Sequence, residues 1–147
     1  MGRPMEPLYV SGLTPEKQHD DDAAFDLSYV GNSDVWLGPF ERAMLTCGFI
    51  IEIPEGYVGL VCPRSGLALK HGVTVLNAPG VIDPGFRGEV GVILINLSSN
   101  PIVFHPGDRI AQLLIVPGGE FRIIHALPEN LIATTRGEDG FGSTGLA

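Results

Sequence analysis

Apolar residues along this chain come in short runs rather than helical stripes. "FIIEI" (49–53), "YVGLV" (57–61), "VGVILIN" (90–96), "PIVF" (101–104), "IAQLLIV" (110–116) and "FRIIHA" (121–126) are rich in β-branched and aromatic residues. Turn formers separate them: Pro39, Pro54-Glu55-Gly56, Pro79-Gly80, Pro84-Gly85, Pro106-Gly107 and Pro117-Gly118-Gly119. Short strands at regular turn spacing predict an all-β barrel or sandwich. One stretch departs from this, "RSGLALKHG". Ser65 can cap a helix, Leu67 to His71 favour it, and Gly72 can end it in the left-handed conformation. The start of that helix, with Arg64 beside it, offers free amides to an anion.

Composition narrows the class. At 147 residues with no linker or repeat, the chain reads as a single domain over 1–147. With 44% hydrophobic and 18% charged residues, it reads as globular. No apolar run reaches membrane-spanning length, and "MGRPMEPLYV" lacks the basic and apolar regions of a signal peptide, so a cytoplasmic protein without membrane contact is expected. Cys47 and Cys62 have no metal-site spacing and form no disulfide framework, which fits two thiols in a reducing compartment. A net charge of −8 argues against nucleic acid as a partner, because that affinity comes mainly from neutralising phosphates.

Familiar catalytic signatures are absent. His19, His71, His105 and His125 form no H-E-x-x-H, which argues against a zinc protease, and no H-x-E with P-C-x-x-C occurs, which excludes a zinc deaminase. Ser65 is not in a G-x-S-x-G elbow. "GFGSTG" near the C-terminus is formally G-x-G-x-x-G, but only Leu146 and Ala147 follow, so no helix can receive a dinucleotide phosphate. Arg136 and Phe141 nevertheless place a charge and an aromatic ring in a tail that needs neither.

Five polar islands lie between the apolar runs: "DAAFDL" (22–27), "PRSGLALKHGV" (63–73), "NAPGVIDPGFRGEV" (77–90), "GDRIAQLLI" (107–115) and "RGEDGFGSTG" (136–145). In this order and spacing they resemble the five motifs of the trimeric deoxyuridine triphosphatases, the dUTPases. The resemblance implies a jelly-roll-like β-barrel with one short helix, a core over about 5–130 and a mobile Gly-rich arm over about 133–147. It also implies a homotrimer with active sites at subunit interfaces. The reaction would be hydrolysis of dUTP to dUMP and pyrophosphate with Mg²⁺, which keeps uracil out of DNA and supplies dUMP for thymidylate synthesis.

The resemblance also implies roles. Asp83, which by itself is good turn chemistry before Pro-Gly, matches the carboxylate that activates water. Gln112, otherwise an outward polar position in an alternating strand, matches a residue at the α-phosphate and the catalytic water. Asp26 matches the residue that orients waters on the metal. Arg64, Ser65 and Gly66 would hold phosphates, with Ser65 near the α–β bridge. Asp108 and Arg109 would fix a turn and an interface. Arg136, Gly142, Ser143 and Thr144 would close on the γ-phosphate side, and Phe141 would stack on uracil. Backbone from Asn77 through Gly80, Val81 and Ile82, with Gly91, would select the base.

Two positions depart from the family pattern. Phe86 stands where most members carry tyrosine, which keeps the ring under deoxyribose but drops the phenol. Ala24 replaces a glycine of the first motif. "IDPGF" is also similar to the dCTP deaminases of the same fold, some of them bifunctional. Those enzymes use a glutamate where this chain has Ile93, with Glu89 four residues earlier. A catalytically idle regulatory trimer is the remaining alternative, and it predicts lost catalytic residues that are all present here.

Overall fold

The computed structural model describes residues 5–146; Ala147, the last residue of the expected arm, lies outside the described residues. Among the described residues eleven strands and one α-helix follow in order. They are β1 (Tyr9–Gly12), β2 (Phe25–Ser28), β3 (Val35–Leu37), β4 (Arg42–Thr46), β5 (Phe49–Glu52) and β6 (Tyr57–Cys62). After α1 (Ser65–His71) come β7 (Val73–Val75), β8 (Gly80–Ile82), β9 (Gly91–Asn96), β10 (Ile102–Phe104) and β11 (Arg109–Pro117). Every pairing is antiparallel. The ladders run β2-β11-β6-β8, β4-β9-β7, β1-β5 and β3-β10. They wrap one core in a jelly-roll-like all-β arrangement without joining into a single closed barrel.

Alternation builds that core. In β5, Phe49 and Ile51 are buried while Ile50 and Glu52 are exposed. In β9, Val92, Leu94 and Asn96 point inward, the two-residue period of a half-buried strand. Asn96, fully buried, is the polar exception among them. Its Nδ2 donates to the carbonyls of Leu37 (3.0 Å) and Asn100 (2.7 Å), and its Oδ1 accepts from the Ser98 amide (2.9 Å) and hydroxyl (2.8 Å). A side chain so fully satisfied can stay buried and pin the β9 end to β3.

The helix differs from the sequence expectation at its start. Arg64, not Ser65, is the capping position, with extended backbone (φ −95°, ψ 132°) and no side-chain cap bond. The extended path leaving β6 continues through Pro63 and Arg64, so the first helical residue comes one later. At the other end Gly72, at φ 64°, returns its amide to Ala68 as expected.

"FRIIHA" also departs from expectation. No ladder forms there, and Phe121 and Ile123 are exposed. The last backbone bond to the strand body is from the Gly118 amide to the Gly56 carbonyl, 2.8 Å. Beyond it the segment pairs with none of the chain's strands. Among the described residues no helix is long and apolar enough to cross a membrane.

Candidate active site

Strand register gathers three of the five islands at one end of the central sheet. Gln112 sits between Asp26 on β2 and Cys62 on β6. Two residues past Cys62 lies Arg64, at the entrance to α1. Gln112 Nε2 donates to the Pro63 carbonyl at 2.8 Å, and Arg64 Nη1 donates to the Arg109 carbonyl at 2.9 Å. Gln112 therefore ties β11 to the start of the helix and keeps its own amide oxygen as a free acceptor. Ser65 and Gly66 are exposed at the helix start. Because Arg64 takes the capping position, the Ser65 hydroxyl is not committed to a cap bond.

Asp26 lies at this end with an unusual carboxylate. Its Oδ2 is buried and accepts no hydrogen bond, while the side chain keeps 22% exposure. Arg109 Nη1 approaches Oδ2 to 3.8 Å. Asp108 fixes the preceding turn as expected: its Oδ2 accepts from the His105 amide at 2.8 Å. Arg109 instead reaches across to Asp26. His105 in turn bonds Asp34 through Nδ1 at 2.8 Å. That bond first, and the charge of Asp34 second, raise the His105 pKa above its ordinary 6.5.

The third island forms a separate site. A pocket of about 200 Å³ includes Asn77, Gly80, Ile82, Phe86 and Gly91 in its lining. Gly88 makes room for the Phe86 ring, since a Cβ there would come within 2.5 Å of the ring tip. Arg87 Nη1 donates to the carbonyls of Pro84 (2.7 Å) and Phe86 (3.0 Å), bracing the turn that carries Asp83. Asp83 itself is exposed. Its carbonyl accepts from the Phe86 amide at 3.1 Å, so its backbone does have the expected turn role.

Sequence reasoning did not assign Met44 or Glu89 to this pocket, yet both line it, with Ile93 beside them. Met44 comes from β4, outside every island, and reaches the pocket only because it pairs with Ile93 on β9. No local signal could have found it. Glu89 Oε1 accepts from the Gly48 amide at 3.0 Å. Burial first, and Glu89's charge second, push the neighbouring Cys47 thiol up to about 12, so Cys47 is an inert core residue. Cys62 is also a free thiol.

The fifth island reaches neither cluster in its own chain. From Glu120 to Leu146 nearly every residue is exposed. Arg136 Nε donates to the Asp139 carbonyl at 2.8 Å, and local turns follow at Gly140–Ser143 and Gly142–Gly145. Phe141 is fully exposed, with a positive φ of 49°. Bulky residues rarely adopt that conformation. Ser143 and Thr144 extend beyond it, also in solvent.

Comparison with known proteins places this arrangement. The sequence profile of the dUTPase family matches residues 11–145. The chain is 57% identical over 147 residues to the deoxyuridine 5'-triphosphate nucleotidohydrolase of Bifidobacterium longum (strain DJO10A), covering 95% of this chain and 90% of that one. Among solved structures it resembles a mutant dUTPase of Staphylococcus bacteriophage 80alpha with dUpNHpp. That match has a TM-score of 0.80 at 28% identity, over 97% of this chain and 100% of that one. It also resembles a mutant dUTPase of phage phi11 of S. aureus, described for the coordination of a structural Mg(II) ion. There the TM-score is 0.74 at 26% identity, over 82% of this chain and 97% of that one.

Proposed function

The chain belongs to the dUTPase family; it hydrolyses dUTP to dUMP and pyrophosphate, and we propose that it does so with Mg²⁺ at sites shared between the subunits of a homotrimer. One observation carries the shared-site reading. β8 pairs with β6 through Val61↔Gly80, Leu60↔Val81 and Gly59↔Ile82, so Asp83 comes next, beside Val58. Arg64 lies six residues beyond Val58 in the opposite direction from the turn, roughly 20 Å along extended chain. A base at Asp83 and a phosphate clamp at Arg64 of one chain are too far apart to act on one α-phosphorus. Two copies joined about a threefold axis bring one chain's Asp83 to another's Arg64. The exposed arm, over about 133–147, then has a neighbour's surface on which to close.

In this reading the backbone of Asn77, Gly80, Val81, Ile82 and Gly91 pairs with uracil, and Phe86 lies under deoxyribose. Cytosine reverses donor and acceptor at two ring positions, and each misplaced buried group costs about 1–3 kcal/mol. Asp83 takes a proton from water as the water oxygen attacks the α-phosphorus. The bond from that phosphorus to the α–β bridging oxygen breaks, and pyrophosphate leaves. Gln112 accepts from the same water through its free amide oxygen, and Arg64, Ser65 and Gly66 hold the departing phosphates. Arg136, Ser143 and Thr144 hold the γ-phosphate, Gly142 lets the arm backbone approach it, and Phe141 stacks on the base and excludes water.

The residues fit a metal that arrives with the substrate. Among the described residues no group of three or more metal-ligating side chains exists, while Asp26 offers a carboxylate with free lone pairs. A single outer carboxylate suits Mg²⁺, which keeps its waters and binds chiefly through substrate phosphates. Bound there, Mg²⁺ supplies neutralisation of the triphosphate charge. Two free thiols support a reducing cytoplasmic setting.

Product analysis tests the reaction. dUTP should yield dUMP and pyrophosphate, with dCTP and UTP poor substrates and no ammonia from dCTP. Asp83→Asn should abolish turnover and keep dUTP binding, because an amide holds water but cannot take its proton. A variant retaining a tenth of the activity would reduce Asp83 to a turn residue.

A further inference from the structure

β11 breaks its alternation at one place. Ile110 and Ala111 are consecutive, yet both are fully buried, and Leu113 is buried again. With strict alternation, Arg109 would share a face with Ala111 and Leu113 and point into the core. The register against β2 shifts between Arg109 and Ala111. This is the geometry of a bulge, in which one extra residue re-aims a side chain. Arg109 therefore emerges on the outer face with Gln112, opposite Ser28 and Asp26 of β2.

From that placement we infer that Arg109 is a positioning residue that sets the Asp26 carboxylate for the metal-bearing triphosphate, an inference that rests on the metal-side reading of Asp26. The carboxylate is asymmetric: Oδ2 is buried, unbonded and 3.8 Å from Arg109 Nη1. Arg109 offsets the charge on the inner oxygen, and Oδ1 is the oxygen left to serve the metal side. The same residue lends its carbonyl to Arg64 Nη1 at 2.9 Å. One residue thus links the metal-side acid to the phosphate-side base. A half-exposed ion pair at this distance adds little stability, so its consequence lies in orientation.

The test is calorimetric binding of the non-hydrolysable analogue dUpNHpp, with and without Mg²⁺, at 0.15 M salt. It compares the wild type with Arg109→Ala, Arg109→Lys, Asp26→Asn and the Arg109→Ala/Asp26→Asn double variant. In Arg109→Ala the Mg²⁺ concentration giving half of the metal-dependent gain should rise about tenfold, the usual effect of losing an outer-shell partner. Metal-free affinity should fall by no more than about threefold, because an exposed charge is screened. Lysine should restore part of the loss, and the double variant should match Asp26→Asn alone. An equal loss with and without Mg²⁺ would make Arg109 a direct phosphate ligand and overturn the inference. So would a full further loss in the Asp26→Asn background, or an unchanged Mg²⁺ dependence in Arg109→Ala while Asp26→Asn shifts it. If Asp26→Asn itself leaves the Mg²⁺ dependence unchanged, the reading of Asp26 fails and the inference with it. Circular dichroism and size exclusion monitor folding, and Arg109→Gln replaces the alanine variant if that one is unfolded.

Discussion

Ile110 and Leu113 on β11 are wholly buried, whereas Phe121, Ile132 and Phe141, further along the same chain, stand in solvent. The residue types are similar and their fates are opposite. β11 has β2 on one side and β6 on the other, so its ladder is complete and its inward side chains meet a core. After Pro117, paired with Tyr57, no further ladder forms among the described residues. Apolar pattern gives a segment the tendency to form a strand, but only pairing with a partner strand makes it one. The strand body is held by its own contacts, and the arm makes only local turns.

The largest expected effect tests the arm. A chain ending at Thr135 should keep the full-length urea midpoint, yet its kcat should fall about a thousandfold, as for loss of an arginine that clamps phosphates. Co-refolding it with full-length Asp83→Asn sharpens the test, since neither parent is active. If arm and Asp83 come from different subunits, random assembly rebuilds about a quarter of the sites. Mixed trimers that form but stay inactive would mean the arm closes over its own subunit's Asp83.

In the body, Leu113→Ala should lower unfolding stability by about 3 kcal/mol, within the usual range for an emptied core position. A urea titration reads this directly. A loss below about 1 kcal/mol would erase the contrast between body and arm.

Asn96→Ala should cost somewhat less, about 2 kcal/mol, because the carbonyls of Leu37 and Asn100 lose their donor inside the fold. The same titration measures it.

The smallest effect concerns His105 and Asp34. The folded pKa of His105 is raised, so its contribution is fully present below the unfolded value near 6.5 and is lost as pH rises through the raised value. The difference in melting temperature between wild type and His105→Asn should therefore shrink from pH 6 to pH 9. A difference that grows with pH would reverse the sign.

Much of the strand body was legible because its signals are local. β5, β6, β9, β10 and β11 match apolar runs to within one residue at each end, and Gly72 ends α1 where a left-handed residue was needed. β3, β7 and β8, with three residues each, were not read as runs, whereas β10, equally short, was legible because "PIVF" stands just before Pro106-Gly107. Ser65 was misplaced by one position because a cap depends on where the preceding strand stops bending the chain. Arg109 was read with Asp108 as fixing a turn and an interface, and its approach to Asp26 depends on a register shift that strand composition does not reveal.

The sequence by itself determined the all-β class, the single short helix, the five polar islands and their order, since turn chemistry and two-residue alternation act between near neighbours. Only the tertiary structure decided what stands beside what. Pairing of β2, β11 and β6 set Asp26 and Gln112 next to the entrance of α1. Pairing of β4 with β9 carried Met44 to the pocket. Antiparallel pairing of β8 with β6, with Gly80 opposite Val61 and Ile82 opposite Gly59, led Asp83 away from Arg64. These are contacts between residues tens of positions apart; the hydrophobic pattern fixes which face of a strand turns inward, but not which distant strand it lies beside.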